Sequence, residues 1–225
     1  MVLLHGQPGR GTEFGRVIDA LAPTVDAVAP DRPGYGDNPL PAGGVGANVD
    51  WLAGLVDTGR GSGAPLVVAH SWAGGVALAL ALHHPDLVRG LVLIGSVGPG
   101  AVSRMDRVLA VPAGALAAAR ATSGTAPRRR ARRRAVVAAF LAEQVALVRE
   151  LPLLLSQLDR IATPTTVIGG GRDRVVPPAT ALSLVAALPR AELVSVPDGG
   201  HRLHRTHPEL VAGVIGRALA GSGPR

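Results

Sequence analysis

The 225-residue sequence contains no cysteine and no lysine, and its aromatic side chains number only two Trp, two Phe and one Tyr. Without cysteine, neither a disulfide nor a thiolate-held metal can staple the fold, and the redox compartment is left open. A scarcity of aromatic rings argues against a single-stranded nucleic-acid binder, which stacks bases on such rings. With no lysine every basic side chain is Arg, a bias that genome composition can produce without selection for guanidinium chemistry. The first residues, MVLLHGQPG, carry no basic leader, long apolar stretch or cleavage site, so no signal peptide is read there and a cytoplasmic location is the default expectation. The longest apolar runs, such as 76–82, fall far short of the ~18 residues that cross a bilayer, so no membrane span is expected.

What is present suits one compact domain. Hydrophobic residues make up 47% of the chain, and 30 Gly with 19 Pro provide for many tight turns across a large core. The formal charge is +7, but six of the 23 basic residues are Arg128, Arg129, Arg130, Arg132, Arg133 and Arg134, and without them the balance is +1. The basicity is therefore local. A nucleic acid or acidic surface is one conceivable partner for this run, but no recognition motif accompanies it, and a solvated, mobile segment is the preferred reading.

Short runs rich in β-branched and aliphatic residues recur at 2–4, 25–29, 66–69, 91–94, 165–168 and 193–196. Most are continuously apolar rather than alternating, as in parallel strands covered on both faces. Helical spacing fills 12–21, 49–56, 72–82, 179–188 and 209–219, several stretches ending at Pro, Gly or His-Pro breakers. The alternation predicts a doubly wound, mostly parallel α/β sheet of about six strands with helices on both faces. The stretch 98–160 contains helices but no convincing strand and reads as an insertion. Three segments follow: a first core part at 1–97, a helical insertion at 98–160 and a second core part at 161–225.

The strongest chemical signal is VVAHSWAGG at 67–75, where a strand-like run meets Ser71 and then a helical run. A sharp strand-to-helix turn lifts a Ser hydroxyl above the sheet edge, and small residues at Ala69 and Ala73 let strand and helix approach. An ordinary helix-capping Ser is the bland alternative. HGQPG at 5–9 follows the first strand. A tetrahedral oxyanion needs two backbone N–H groups, one after the nucleophile and one from an early loop, which points to Trp72 and Gln7. GGGRDRVVPP at 169–178 puts Asp173 at another strand end, and PDGGHRLH at 197–204 puts His201 after the last strand. Open parallel sheets gather their active sites at those ends. Asp198 rivals Asp173 but has no separate strand end to position it. His83, His84, His204 and His207 read as structural, His70 as packed behind the nucleophile, and Asp31, Arg32, Tyr35 and Asp37 as organisers of a loop. No HExxH, CxxC or clustered acidic pattern suggests a metal, and GGGR lacks the Lys-Ser or Lys-Thr of a phosphate loop, so no metal or cofactor is expected.

Taken in order, HGQPG, DRPGYG at 31–36, AHSWAGG, GRDRVVP and GGH resemble the α/β-hydrolase family over most of the chain. The resemblance implies a serine-nucleophile, esterase- or lipase-like branch with a catalytic triad of Ser71, Asp173 and His201, an oxyanion hole from Gln7 and Trp72, and a lid inserted at 98–160. It also implies two strands ahead of the HG strand, whereas the sequence here opens on that strand, so either the chain is natively shortened or its start is assigned too late; the shortened case is the one that exposes an edge. Run 25–29 would then be an exposed sheet edge inviting a homodimer. The expected activity is hydrolysis of a carboxylic ester or related acyl compound, with an apolar small-molecule substrate suggested by Val137, Phe140, Leu141, Val145, Leu147, Val148, Leu151, Leu154 and Leu155. These residues could equally do no more than pack the insertion on the core. C–C bond hydrolysis, cyanohydrin cleavage, perhydrolysis and a non-catalytic binding role on the same fold stay open.

Overall fold

The computed structural model describes residues 1–23, 25–58, 63–101 and 128–221. Five parallel strands form one sheet in chain order: β1 (Val2–Leu4), β2 (Leu66–His70), β3 (Gly90–Ile94), β4 (Thr165–Gly170) and β5 (Ala191–Val196). The register sets Leu3 beside Val68, Val68 beside Val92 and Val92 beside Thr166. Alternate strand residues feed two cores. Val67, Ala69, Leu91 and Leu93 pack on one face, while Leu66, Val68, Val92 and Ile94 pack on the other. Both faces are covered, which is why these strands read as unbroken apolar runs.

The expected sixth strand does not form. Run 25–29 contributes a single parallel bridge, Val28 to Val2. Val28 donates to the Met1 carbonyl and accepts from the Leu3 N–H, so the next donor along a parallel ladder would be residue 30. That residue is Pro30, which has no N–H, and the ladder stops. The edge on which the dimer expectation rested thus carries a bridge rather than a strand.

Eight helices of the described residues surround the sheet: α1 (Gly15–Asp19), α2 (Val45–Thr58), α3 (Ala73–His83), α4 (Arg128–Arg149), α5 (Leu151–Leu155), α6 (Pro178–Ala187), α7 (Leu203–Thr206) and α8 (Pro208–Leu219). Right-handed crossovers between strands that advance in one direction put their helices on one face. Val49 and Leu52 of α2, Ala77 and Leu80 of α3 and Leu184 of α6 all pack there. α1 leads the other way, from β1 out to the Val28 bridge, so Val17 lies on the opposite face with Val211 and Ile215 of α8. Winding direction therefore reverses at β1, and the crevice at the carboxyl ends of β1 and β2 is the switch point where such sheets bind ligands.

Of the expected insertion at 98–160, residues 102–127 lie outside the described residues, and 128–160 holds the helices α4 and α5. Leu147, Leu151 and Leu154 join the main core, whereas Val137 and Leu153 stay exposed. Leu147, Leu151 and Leu154 thus tie the segment to the core. Helix α4 starts at Arg128, so the arginine run forms its first two turns, and no acidic residue occurs in the sequence of the first turn. Cations at a helix N-terminus oppose the helix dipole. No helix among the described residues is long and apolar enough to cross a membrane.

Candidate active site

Ser71 follows β2 directly and has φ of 56°, the only positive value at a non-glycine residue among those described. The left-handed conformation costs about 1–2 kcal/mol, and surrounding contacts must hold it. Ala69 and Ala73 are fully buried, as the turn requires. At Gly74 even a methyl group is excluded, because a Cβ would sit 1.8 Å from Ser96 Oγ.

Asp173 follows β4 and His201 follows β5, and the fold brings both to Ser71. His201 Nε2 is 3.0 Å from Ser71 Oγ, and His201 Nδ1 is 2.8 Å from Asp173 Oδ2. An ionised carboxylate only accepts, so the imidazole proton belongs on Nδ1, leaving Nε2 free to accept from the Ser71 hydroxyl. Asp173 Oδ1 accepts from the Val175 and Val176 N–H groups at 2.8 and 2.9 Å. Burial raises the Asp173 carboxyl, but hydrogen bonds from His201, Val176 and Val175 outweigh it together, and the net displacement is downward. Asp198, the rival by sequence, is exposed. Gly95 lies against the same pair with φ of 50°, and a Cβ there would stand 3.3 Å from both Asp173 Oδ2 and His201 Nδ1.

The remaining histidines sort by burial. His70 sits between His201 and His204 with ring centroids 4.8 and 4.3 Å away, and its Nε2–H reaches the His201 carbonyl at 3.0 Å. Burial first, then the neighbouring His204 and His201, hold it well below the usual histidine range. A neutral ring behind the nucleophile braces the His201 backbone. His204 is buried beside Phe14, with Glu13 Oε2 3.5 Å from its Nε2. His83 and His84 are exposed at the end of α3, and His207 precedes α8.

The two residues expected to supply the oxyanion N–H groups lie beside the nucleophile. Trp72 is its neighbour, and the loop after β1 passes so close that a Cβ on Gly6 would be 2.9 Å from Ser71 Cβ. The side chain of Gln7 donates to Gln144 Oε1 of α4 at 2.9 Å.

Behind this loop lies a network the sequence reading did not assemble. Arg32 is fully buried and spends all five guanidinium donors. Its Nε donates to the His5 carbonyl at 2.8 Å and its Nη2 to the Gly6 carbonyl at 3.0 Å. Nη1 reaches Asn48 Oδ1 at 3.2 Å, and both terminal nitrogens donate to the Glu143 carboxylate of α4. Tyr35 donates to Glu143 Oε2 at 2.6 Å. Arg32 Cζ also lies 4.7 Å from the Trp72 ring centroid and 5.0 Å from that of Tyr35. Burial pushes the Glu143 carboxyl up, opposed by the Arg32 charge and by hydrogen bonds from Arg32 and Tyr35. Asp31 accepts from the N–H groups of Gly11 and Asp37, in keeping with the loop-organising role expected of it. Glu143 was missed, although it is the only acid in the run 128–149, set in an otherwise apolar stretch.

A hollow of about 600 Å³ lined by Met1, Val2, Val28, Val56 and Leu66 opens at the amino ends of β1 and β2. It is at the wrong end of the strands for the chemistry above, so size does not mark the site here.

Three comparisons bear on this arrangement. The chain is 31% identical over 227 residues to the 2-hydroxymuconate semialdehyde hydrolase of Pseudomonas putida, spanning 88% of this chain and 78% of that protein. It is 28% identical over 250 residues to a pimeloyl-[acyl-carrier protein] methyl ester esterase of Xanthomonas campestris pv. campestris, covering 98% and 94% of the two chains. Among solved structures, a thermophilic esterase from Thermogutta terrifontis superposes with a TM-score of 0.76 at 24% identity, over 98% of this chain and 89% of that one. The structural likeness speaks for the fold. The two curated relatives named above are a hydrolase and an esterase, and the profile described as the alpha/beta hydrolase family matches residues 1–214, so this chain belongs to the alpha/beta hydrolase family.

Proposed function

We propose that the chain is a serine hydrolase that cleaves a carboxylic ester or related acyl compound through an acyl-enzyme on Ser71. The carrying observation is the continuous hydrogen-bonded line from Ser71 Oγ through both ring nitrogens of His201 to Asp173. His201 Nε2 takes the Ser71 proton as Oγ attacks the acyl carbon, and the resulting oxyanion is held by the N–H groups of Gln7 and Trp72. Collapse expels the alkoxide, which takes the proton from His201. Water then repeats the sequence on the acyl-enzyme and releases the acid. Asp173 fixes the imidazole tautomer and stabilises the imidazolium. In this reading the segment 98–160 is a lid over a small, apolar acyl substrate. The test is a fluorophosphonate probe with a kinetic assay on acetate, butyrate and hexanoate esters. Wild-type protein is expected to be labelled, and Ser71→Ala to be unlabelled with kcat lowered about 10⁶-fold. Labelling that survives Ser71→Ala removes the assignment.

A second reading is hydrolysis of a C–C bond by the same residues, favoured by the similarity to 2-hydroxymuconate semialdehyde hydrolases from two Pseudomonas strains. The compound in that name has no ester bond, so its hydrolysis must break carbon from carbon. Turnover of an enol-keto acid with no turnover of the ester series selects this reading.

A further inference from the structure

The proposed oxyanion site has one donor on each of two separate segments, Gln7 after β1 and Trp72 after β2, and something must hold both in register before a substrate arrives. The Gly6–Gln7 peptide is the key unit. It is trans, so its C=O and N–H point in opposite directions within one plane. Whatever anchors the Gly6 carbonyl also aims the Gln7 N–H. That carbonyl is held twice, by His5 Nδ1–H at 2.8 Å and by Arg32 Nη2 at 3.0 Å. His5 is in turn oriented by Arg32, whose backbone N–H donates to His5 Nε2 at 2.9 Å. The same guanidinium stacks on Trp72, whose indole Nε1–H donates to the Glu143 carbonyl at 3.2 Å. One fork therefore holds the carbonyl behind the Gln7 donor and packs on the side chain of Trp72, and Glu143 ties it to α4.

We propose that Arg32, held by Glu143, is a positioning residue for the oxyanion site: its guanidinium fixes the Gly6–Gln7 peptide plane, and so the direction of the Gln7 N–H, and packs on the ring of Trp72, whose own N–H is aimed by the hold of Gly74 and Val97 on the Ser71 carbonyl. The inference rests on the acyl-transfer reading above. Its physical content is preorganisation, because donors that need no reorientation as charge develops stabilise the transition state more than the ground state. A hydrogen bond from a cation to the Gly6 carbonyl also polarises the peptide and strengthens its N–H as a donor. Lysine cannot substitute, since one ammonium cannot form the planar fork that holds the carbonyls of His5 and Gly6 and both carboxylate oxygens of Glu143.

The experiment compares wild type, Arg32→Lys and Glu143→Gln at a temperature well below each melting transition. The readouts are kcat, KM and the affinity of a trifluoromethyl ketone, which adds Ser71 to give a tetrahedral oxyanion. Loss of a whole oxyanion donor costs roughly 10²–10³ in kcat, so misaiming in Arg32→Lys is expected to cost about 10–100-fold, with KM within about threefold. Affinity for the ketone should fall by the same factor as kcat/KM. Glu143→Gln keeps neutral partners for Arg32 and Tyr35 and is expected to lose about threefold to tenfold by the same pattern. It decides the question if Arg32→Lys does not fold. A purely structural role would lower the melting temperature and leave kcat and ketone affinity of the folded protein unchanged, and that result overturns the proposal. A wild-type protein that a fluorophosphonate fails to label overturns the acyl-transfer reading and this inference with it. A labelled wild type beside an unimpaired Arg32→Lys overturns the inference alone.

Discussion

The pair His201–Asp173 and the pair Arg32–Glu143 are both a base and an acid in hydrogen-bond contact near Ser71, yet their surroundings differ. The His201 side chain is 14% exposed, whereas both side chains of Arg32–Glu143 are fully buried. The first pair has a ring nitrogen turned to the Ser71 hydroxyl, where the proposed mechanism has it exchange a proton. The second has every Arg32 donor committed, so it holds geometry. Residue type alone does not separate a reacting network from a supporting one. Access and the number of uncommitted atoms do.

The comparison breaks most sharply at the acid. Asp173→Asn leaves Nδ1 facing an amide and favours the wrong tautomer, so kcat should fall about 10⁴-fold, while Asp198→Asn at the exposed rival position should be silent. Ester hydrolysis by the two variants decides it, and equal losses would dissolve the distinction drawn between them.

For the buried pair the expected effect is on stability. Glu143→Ala strands the Arg32 charge in the core and should cost about 3–5 kcal/mol in urea unfolding. Arg133→Ala, at an exposed position of the same helix, should stay within about 0.5 kcal/mol. A mild Glu143→Ala would mean that water reaches Arg32.

Acid sharpens the contrast next. Burial, then the Arg32 charge, hold His5 down to about 4 from an ordinary 6.5. Between those values the unfolded chain binds more protons than the folded one, so stability is complete above the unfolded value and falls as pH drops through the window. The His5 share is roughly 3 kcal/mol, read as a fall in urea midpoint from pH 7 to pH 4. In His5→Gln that slope should shrink, and an unchanged slope assigns the loss to other groups. Asp173, displaced downward, contributes stability that is lost only at lower pH, through its own folded value.

The smallest test uses two glycines. Gly95 and Gly100 both have left-handed φ, 50° and 81°, but only Gly95 has the triad side chains within reach of a Cβ, while Gly100 faces open space. Gly95→Ala and Gly100→Ala should each lose about 1–2 kcal/mol from backbone strain. Only Gly95→Ala should also lower kcat. If both leave kcat intact, the His201–Asp173 pair has more room than its distances imply.

These contrasts also mark what was legible in the sequence. Strands covered on both faces announce themselves as local apolar runs, and Ser71, Asp173 and His201 each sit just past such a run, so their convergence followed from the sheet. Run 25–29 has the same composition, and its failure to form a strand turns on Pro30 and on which N–H the ladder needs, a matter of register rather than propensity. Arg32 and Glu143 are 111 positions apart, and an ion pair at that separation has no spacing rule. Only the isolation of Glu143 among apolar neighbours hinted that it had a buried partner.

The all-parallel order of the five strands carries a consequence for how this protein comes into being. Ser71 and His201 are 130 residues apart, and Arg32 meets Glu143 only when the helices between β3 and β4 have docked. No fragment of the sheet holds a working site, and parallel pairing is dominated by distant contacts that assemble slowly. Under the proposed mechanism, reactivity at Ser71 is a clock for the last stage of assembly: during refolding from urea, helical signal should return before the serine becomes able to attack, and the interval between them measures how long the chain is built but idle.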